Sequence, residues 1–116
     1  MTEFQKKVLL WAMSDCESDE NKKEVGGGFP YRIGKMYFIR TVTMNVCGRL
    51  KSVCENELVL EDAAWVPDSG RFADALGDPD VLAEVEPFPD GQVIVGRGAI
   101  VDACIPTWKH LPRAQK

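Results

Sequence analysis

The chain has 116 residues, of which 45% are hydrophobic, and carries a formal net charge of −4. This length and apolar content predict one domain with a buried core, and the acidic balance disfavours a protein that acts mainly by neutralising many phosphates. No segment approaches the roughly 18 apolar residues of a membrane span, and the N-terminus lacks a secretory pattern, so we expect a cytoplasmic protein with no membrane partner.

Residues 1–28 are predicted to form a helix followed by a flexible linker. Thr2-Glu-Phe-Gln5 fits a capping box, in which a hydroxyl and a glutamine satisfy free N–H groups at a helix start. Polar residues and three glycines then dominate from Ser14 to Gly28, which is typical of a linker. The apolar residues of the helix recur at helical spacing: Phe4, Val8 and Trp11.

Residues Met36 to Val46 alternate between apolar and polar side chains, which predicts a strand with a turn near Thr43 to Asn45. Arg40 falls on the apolar face, so we expect either a bend that redirects it or a paired charge. Gly48 interrupts the following strand pattern and predicts a sharp bend or a close approach of another backbone.

A hairpin is predicted next, with the polar turn Cys54-Glu-Asn-Glu57 before a return strand that starts at Leu58. Cys47 and Cys54 lie in apolar strand patterns, where a thiol usually acts as a small hydrophobe. We therefore expect free, buried thiols, with a Cys47–Cys54 pair across the hairpin as the alternative. None of the four cysteines forms a Cys-x-x-Cys pair, so the sequence predicts no metal site and no cofactor.

An insertion is predicted over residues 65–84. Asp68 or Ser69 can begin a short helix, Phe72 and Leu76 share one of its faces, and Gly77 can end it. Asp78-Pro79 starts a second turn, and the stretch from Val81 to Glu86 is either helix or strand. Asp90-Gly91 then predicts a hairpin-type turn into the apolar strand Gln92 to Val95, and two prolines predict a stiff, non-helical C-terminal arm over residues 106–116. This arm is expected to pack on its own subunit or on a neighbour.

Two motifs resemble those of the Sm-like family. The first is Gly48-Arg-Leu-Lys-Ser-Val53 with a short turn and Leu58-Val-Leu-Glu-Asp-Ala63, and the second is Arg97-Gly98 followed by Ala-Ile-Val101. The resemblance implies a mainly β fold, a five-stranded and strongly bent Sm-like or SH3-like barrel over residues 29–105, here with an N-terminal helix and a helical insertion between the third and fourth strands. It also implies that the last strands pair between neighbours to close a homo-oligomeric ring.

Members of this family typically bind single-stranded RNA and are scaffolds rather than catalysts. The resemblance therefore implies a non-catalytic, ring-forming protein that recognises single-stranded RNA or a nucleotide-like ligand. Cys54 stands where RNA-binding members usually carry an aspartate, and the turn is shorter. The alternative is a ring that binds a protein partner or a small ligand and has lost the RNA site. The predicted binding residues are Arg97, Gly98, Arg49, Lys51, Cys54 and Asn56.

A second ligand pocket could form in the insertion, where an aromatic ring, a carboxylate, a hydroxyl and a guanidinium occur within seven residues. These residues are Trp65, Asp68, Ser69 and Arg71. The alternative is structural, with Asp68 and Ser69 capping the helix and Trp65 packing on the sheet. The only histidine, His110, lies in the C-terminal arm without a nucleophile motif, so the sequence predicts no enzyme.

Overall fold

The computed structural model of the protein describes the backbone of residues 16–18 and residues 30–116 in full. This part of the chain is mainly β, as predicted. Its strands are β1 (Cys16–Ser18), β2 (Met36–Thr41), β3 (Asn45–Cys54), β4 (Glu57–Asp68), β5 (Glu84–Pro87), β6 (Val93–Gly96) and β7 (Ile100–Cys104). A short α-helix, α1 (Phe72–Gly77), precedes a 3-10 turn at Pro79–Val81, and a second 3-10 turn at Arg97–Ala99 links β6 to β7.

The strands form one antiparallel sheet in the order β5-β4-β3-β2-β7. The short strand β1 also pairs with β3, and β6 also pairs with β4. Strands β5 and β6 lie one after the other along the same edge of β4, against Ala64–Asp68 and Glu57–Leu60 respectively. Among the described residues, no pairing joins β7 to β5 or β6. The predicted closed barrel is therefore wrong for the single chain, because the sheet stays open between its two edges.

The predicted turn between the first two long strands is confirmed. Strands β2 and β3 pair from Met36↔Arg49 to Arg40↔Asn45. The Thr41 hydroxyl closes the turn, since it accepts a hydrogen bond from the backbone N–H of Met44 at 3.0 Å and donates to the Met44 carbonyl at 2.8 Å. A side chain thus satisfies backbone groups that no strand pairs at this position.

Gly48 lies where β3 and β4 approach most closely. A Cβ atom at Gly48 would stand 3.0 Å from the Leu60 Cβ and 3.1 Å from the Ala63 Cβ. The pairing register of the two strands shifts between Cys47 and Arg49, opposite the left-handed residue Asp62, whose φ is 50°. The predicted close approach at Gly48 is therefore confirmed, and it coincides with an irregularity in both strands.

Both faces of the central strands are buried, which the alternation of β2 did not predict. Tyr37 and Ile39 point into one core cluster and Phe38 into another, as successive residues of a strand must. Tyr37, expected on the polar face, is 4% exposed. The first cluster contains Tyr37, Ile39, Val46, Leu50, Val53, Leu58, Leu60, Ala63 and Val95. The second contains Phe38, Cys47, Ala64, Val66, Ala75, Leu82, Val85, Trp108 and Leu111.

The insertion and the C-terminal arm cover the second cluster. Helix α1 places Phe72 edge-on against Phe38, with 5.7 Å between the ring centroids. From the arm, the indole N–H of Trp108 donates to the Ala75 carbonyl at 2.6 Å. The arm therefore packs on its own chain. At its far end, Lys116 and Val85 exchange two backbone hydrogen bonds.

Several predicted boundaries need correction. The insertion was expected from residue 65, but β4 continues to Asp68. The uncertain stretch before Pro87 is a strand, β5. Asp90-Gly91 forms a turn, with Gly91 at φ 77°, yet it is not a hairpin turn because β5 and β6 both pair with β4 and not with each other. The N-terminal helix lies outside the described residues, and within the predicted linker Cys16–Ser18 is a strand.

Candidate functional site

Arg97 joins the two sequence motifs. It begins the 3-10 turn after β6, and its backbone N–H donates to the Asn56 carbonyl at 2.9 Å. Its guanidinium Nη1 donates to the Cys54 carbonyl at 2.7 Å and to the Glu55 carbonyl at 3.2 Å. The β3–β4 turn is therefore held by three hydrogen bonds from one residue. Since the two motifs are about 40 residues apart in the chain, only the fold brings them together.

A cavity of about 550 Å³ lies beside this junction. Tyr31 and Tyr37 form its aromatic part, with ring centroids 5.9 Å apart in an edge-to-face arrangement. The Arg97 guanidinium carbon lies 5.5 Å from the centre of the Tyr31 ring, within the range of a cation–π contact. Tyr37 is fixed in place because its hydroxyl accepts the backbone N–H of Arg32 at 2.8 Å.

Two carboxylates also line the cavity, Glu55 and Asp102. Asp102 forms a bidentate ion pair with Arg40, which itself lies over the Phe72 ring at 4.6 Å. The hydrogen bonds from Arg40 lower the pKa of the Asp102 carboxyl. The charge expected to be paired or redirected at Arg40 is thus paired, and the pair links β2, β7 and α1.

Gly98 leaves one part of the cavity wall without a side chain. A Cβ atom built at Gly98 meets no other atom within 4 Å, and the same holds for Gly96. Gly98 lines the cavity, whereas Gly96 does not. A larger side chain at Gly98 could therefore occupy the cavity without a clash in the surrounding fold.

The predicted binding residues fall into two groups. Arg97, Gly98, Cys54 and Asn56 meet at the junction described above. Arg49 does not, because its guanidinium pairs with Asp62 at 2.8 Å and lies 4.0 Å from Glu61 on the outer side of the sheet. Lys51, on the same strand, does not line the cavity either.

The residues of the second predicted pocket lie at or before the turn that precedes α1, and the helix cap expected in the structural alternative is not formed by Asp68 or Ser69. The Asp68 carboxylate accepts the backbone N–H of Gly70 at 2.8 Å, and the Ser69 hydroxyl donates to the Gly70 carbonyl at 3.1 Å. Both side chains stabilise the turn before α1. Arg71 is the N-cap residue without a side-chain cap bond, and Trp65 is 39% exposed. None of the four lines the cavity beside Arg97.

Sequence reasoning missed all four aromatic and acidic residues that line the cavity: Tyr31, Tyr37, Glu55 and Asp102. Tyr31 precedes the first long strand and belongs to no periodic pattern. Glu55 lies within the predicted turn, but only its neighbours Cys54 and Asn56 were assigned to the predicted binding site. Asp102 had one usable signal, since a charge at Arg40 on an apolar face requires an acid nearby.

The cysteines differ from the expected set of free thiols. Cys54 is disulfide-bonded, and its Cα partner across the β1–β3 ladder is Cys16. Cys47 is free and buried, so the alternative Cys47–Cys54 pair is also wrong. Burial raises the pKa of the Cys47 thiol to about 12 and also raises the pKa of Cys104. Both free thiols are therefore poor nucleophiles at neutral pH.

A second cavity, of about 450 Å³, lies under the C-terminal arm. The Lys116 ammonium donates to the Asp80 carbonyl at 2.6 Å on one side of it, and the His110 imidazole lies 3.9 Å from the Asp80 carboxylate on another. These contacts tie the arm to the 3-10 turn at Pro79–Val81. Their evident effect is to fix the arm over the second core cluster.

Comparison with protein-family models, curated proteins and solved structures found no match to this chain. Over residues 16–18 and 30–116, no group of three or more histidine, cysteine, aspartate or glutamate side chains is placed to hold a metal ion. None of the helices in these residues is long and apolar enough to span a lipid bilayer. The function is therefore argued from the geometry of the cavity and of the sheet edges.

Proposed function

We propose that the protein is a non-catalytic subunit of an Sm-like homo-oligomeric ring that binds a base of single-stranded RNA, or a nucleotide-like ligand, in the cavity beside Arg97. One observation carries this proposal. The Arg97-Gly98 motif and the β3–β4 turn meet around a cavity that also holds the Tyr31 ring. These are the two segments that the family resemblance implies for RNA binding.

The order of the strands supports the Sm-like assignment. Five strands lie side by side in the order β7-β2-β3-β4-β6. This order corresponds to a five-stranded barrel in which the last two strands, β6 and β7, are not paired with each other. Strand β5 and helix α1 then form the insertion. The proposed ring requires β6 and β7 to be unpaired within one subunit, because the last strands of such subunits pair between neighbours.

The exposed residues on the unpaired strands β6 and β7 support assembly of several copies of the chain. In the described residues, β6 pairs only with β4 and β7 only with β2, so each strand has an outer edge without a partner. Ile94 of β6 is 65% exposed and Val101 of β7 is 66% exposed. Unpaired edges with apolar side chains promote association with another chain. Pairing β6 of one copy with β7 of the next would cover both edges and generate a ring if the rotation closes.

The cavity suits a flat ring rather than a long apolar chain. Its volume of about 550 Å³ exceeds that of a single base, and Tyr31 offers an aromatic surface for stacking. Stacking of a base on an aromatic side chain is worth about 1–3 kcal/mol and tolerates different sequences. Gly98 leaves room for a ring to enter beside Arg97.

The alternative function, a ring that binds a protein partner, is favoured by a different observation. Among the described residues that line the cavity, Glu55 and Asp102 supply two carboxylates, and Arg97, which already donates to carbonyl groups, supplies the single cation. Phosphates gain little there. A basic protein segment would bind this site through charge, and exposed Val101, which lines the cavity, would add apolar area.

The test compares two glycine variants. Gly98→Leu fills the cavity wall, and Gly96→Leu adds the same side chain two residues away, outside the cavity. Neither variant removes a hydrogen bond of Arg97. Both should keep the melting temperature and the oligomer seen by native mass spectrometry. Binding of a fluorescein-labelled hexa-adenylate RNA, followed by anisotropy, should be lost in Gly98→Leu and kept in Gly96→Leu.

Four outcomes count against the proposal. Equal RNA binding by both glycine variants would show that RNA does not bind in this cavity. Absence of RNA binding in the wild-type protein, together with binding of a lysine- and arginine-rich peptide, would favour the protein-partner alternative. A monomer at micromolar concentration would contradict the ring, and an oligomer that is unchanged by Val101→Lys would contradict its assembly through β7.

A further inference from the structure

We infer that the cavity selects bases that carry an exocyclic amino group over bases that present a carbonyl oxygen at the corresponding position, and that Glu55 is the selecting residue. The inference rests on the proposed function, because it names the class of base that the same cavity would take. It follows from a count of the hydrogen-bond donors and acceptors that face the ligand.

Part of the donor capacity of Arg97 is committed to the protein. The Nη1 of Arg97 donates to the carbonyls of Cys54 and Glu55, and its backbone N–H donates to Asn56. These carbonyls belong to a tight turn, where β3 ends and β4 begins. A ligand that took the Nη1 hydrogens would leave these carbonyls without that donor, so a carbonyl-bearing base gains little from Nη1.

The acceptors of the site remain available. An ionised carboxylate only accepts hydrogen bonds, and it can accept several. Asp102 is held as a carboxylate by Arg40, which occupies one side of it. Glu55 is exposed, and among the described residues no ion pair or hydrogen bond engages its carboxylate. The cavity therefore presents carboxylate acceptors to which an amino group of a base can donate.

The bases differ in what they offer to such a site. Adenine and cytosine carry an exocyclic amino group, and guanine also carries one, whereas thymine-type bases such as uracil present a carbonyl at the corresponding position. An amino group can donate to Glu55. A carbonyl oxygen beside the same carboxylate would be repelled and would lose its bond to water. Acidic side chains that accept from a base amino group are an established mode of base recognition.

The experiment isolates the amino group. Adenosine 5′-monophosphate and purine riboside 5′-monophosphate differ only by the exocyclic amino group, so stacking and phosphate contacts are nearly equal. Each would compete with labelled hexa-adenylate RNA for the full-length protein. We expect adenosine monophosphate to bind on the order of tenfold more tightly, the range of one good base contact.

The variants assign the effect to one residue. Glu55→Met keeps the length of the side chain and removes the carboxylate, so the ratio of the two affinities should fall below about twofold. Glu57→Met is the matched control, because Glu57 is exposed, opposes Gly96 in the sheet and does not line the cavity. It should keep the wild-type ratio.

The outcomes separate this inference from the proposed function. Equal binding of the two monophosphates by the wild-type protein, with hexa-adenylate still bound, would overturn the selectivity and leave RNA binding intact. A wild-type ratio that persists in Glu55→Met would show that another residue reads the amino group. Failure of hexa-adenylate itself to bind would overturn both, and binding of an arginine-containing peptide in its place would assign the same acceptors to a cationic side chain.

Discussion

The closest packing in the sheet can be tested by adding a single methyl group. Gly48→Ala would place a Cβ atom 3.0 Å from the Leu60 Cβ, 3.1 Å from the Ala63 Cβ and 3.2 Å from the Ala63 Cα. Carbon atoms normally pack at about 3.5–4.0 Å. Because one of these contacts is with backbone and Leu60 and Ala63 are both buried, β3 and β4 would have to separate.

Overpacking of this kind costs about 1–3 kcal/mol. The conformational benefit of replacing a strand glycine returns roughly 0.5–1 kcal/mol. We therefore expect a net loss of about 1–2 kcal/mol in the free energy of unfolding for Gly48→Ala. Gly48→Val carries two further methyl groups and should yield little folded protein, since the total stability of a domain is about 5–15 kcal/mol. Urea denaturation followed by tryptophan fluorescence measures the first, and soluble yield measures the second.

The double variant Gly48→Ala/Ala63→Gly is the control. Removing the Ala63 methyl relieves the 3.1 Å contact but not the contacts with Leu60 or with the backbone. Its loss of stability should therefore be smaller than the sum of the two single losses, by about 0.5–1 kcal/mol or more. A Gly48→Ala protein within about 0.5 kcal/mol of wild type, or additive losses, would refute the close approach.

Three further predictions concern single interactions. Reduction of the Cys54 disulfide should destabilise the protein by about 2–4 kcal/mol, and an unchanged urea midpoint after reduction would argue against a structural role. Non-reducing peptide mapping after rapid alkylation in cells would show whether the bond exists in the predicted cytoplasmic location. Arg40 lowers the pKa of Asp102, so the ion pair stabilises the fold above the unfolded aspartate pKa of about 3.9, and this stabilisation is lost as pH falls through the lowered folded value. The urea midpoint of the wild-type protein should therefore fall more than that of Arg40→Met between about pH 6 and pH 2.5. Parallel pH curves of the two proteins would contradict this. Trp108→Phe removes the donor to the buried Ala75 carbonyl and should cost about 1–3 kcal/mol by urea denaturation, and a neutral result would mean that water replaces the indole.

Local patterns predicted the elements of the sheet well. Alternation placed β2, Gly48 marked the close approach, and the polar residues after Cys54 marked the β3–β4 turn. Helix α1 ends at Gly77 as predicted, and Asp78 caps the following 3-10 turn by accepting the backbone N–H of Asp80. These features depend on neighbours in the chain, so a single sequence contains them.

Features that depend on distant segments were not predicted. The burial of Tyr37 results from core clusters on both faces of β2, and one of those faces is covered by α1 and the C-terminal arm. The pairing of Cys16–Ser18 with the end of β3 required a partner that no local pattern in a polar segment indicates. The motif residues near Arg97 were found by resemblance, whereas Arg49 was expected there only because its charge lay in the same motif.

Arg97 links the stability of the β3–β4 turn to any activity of the cavity. Because its guanidinium bonds to Cys54 and Glu55 and also lies near the Tyr31 ring, removing it would release the turn and alter the cavity together. Loss of binding in such a variant would not distinguish a contact with ligand from a collapsed turn. Gly98 and Glu55 line the same cavity, and neither side-chain position contributes a hydrogen bond to the turn. Stability and the proposed binding can therefore be separated at these two positions, so their variants test the proposal more directly than a variant of Arg97.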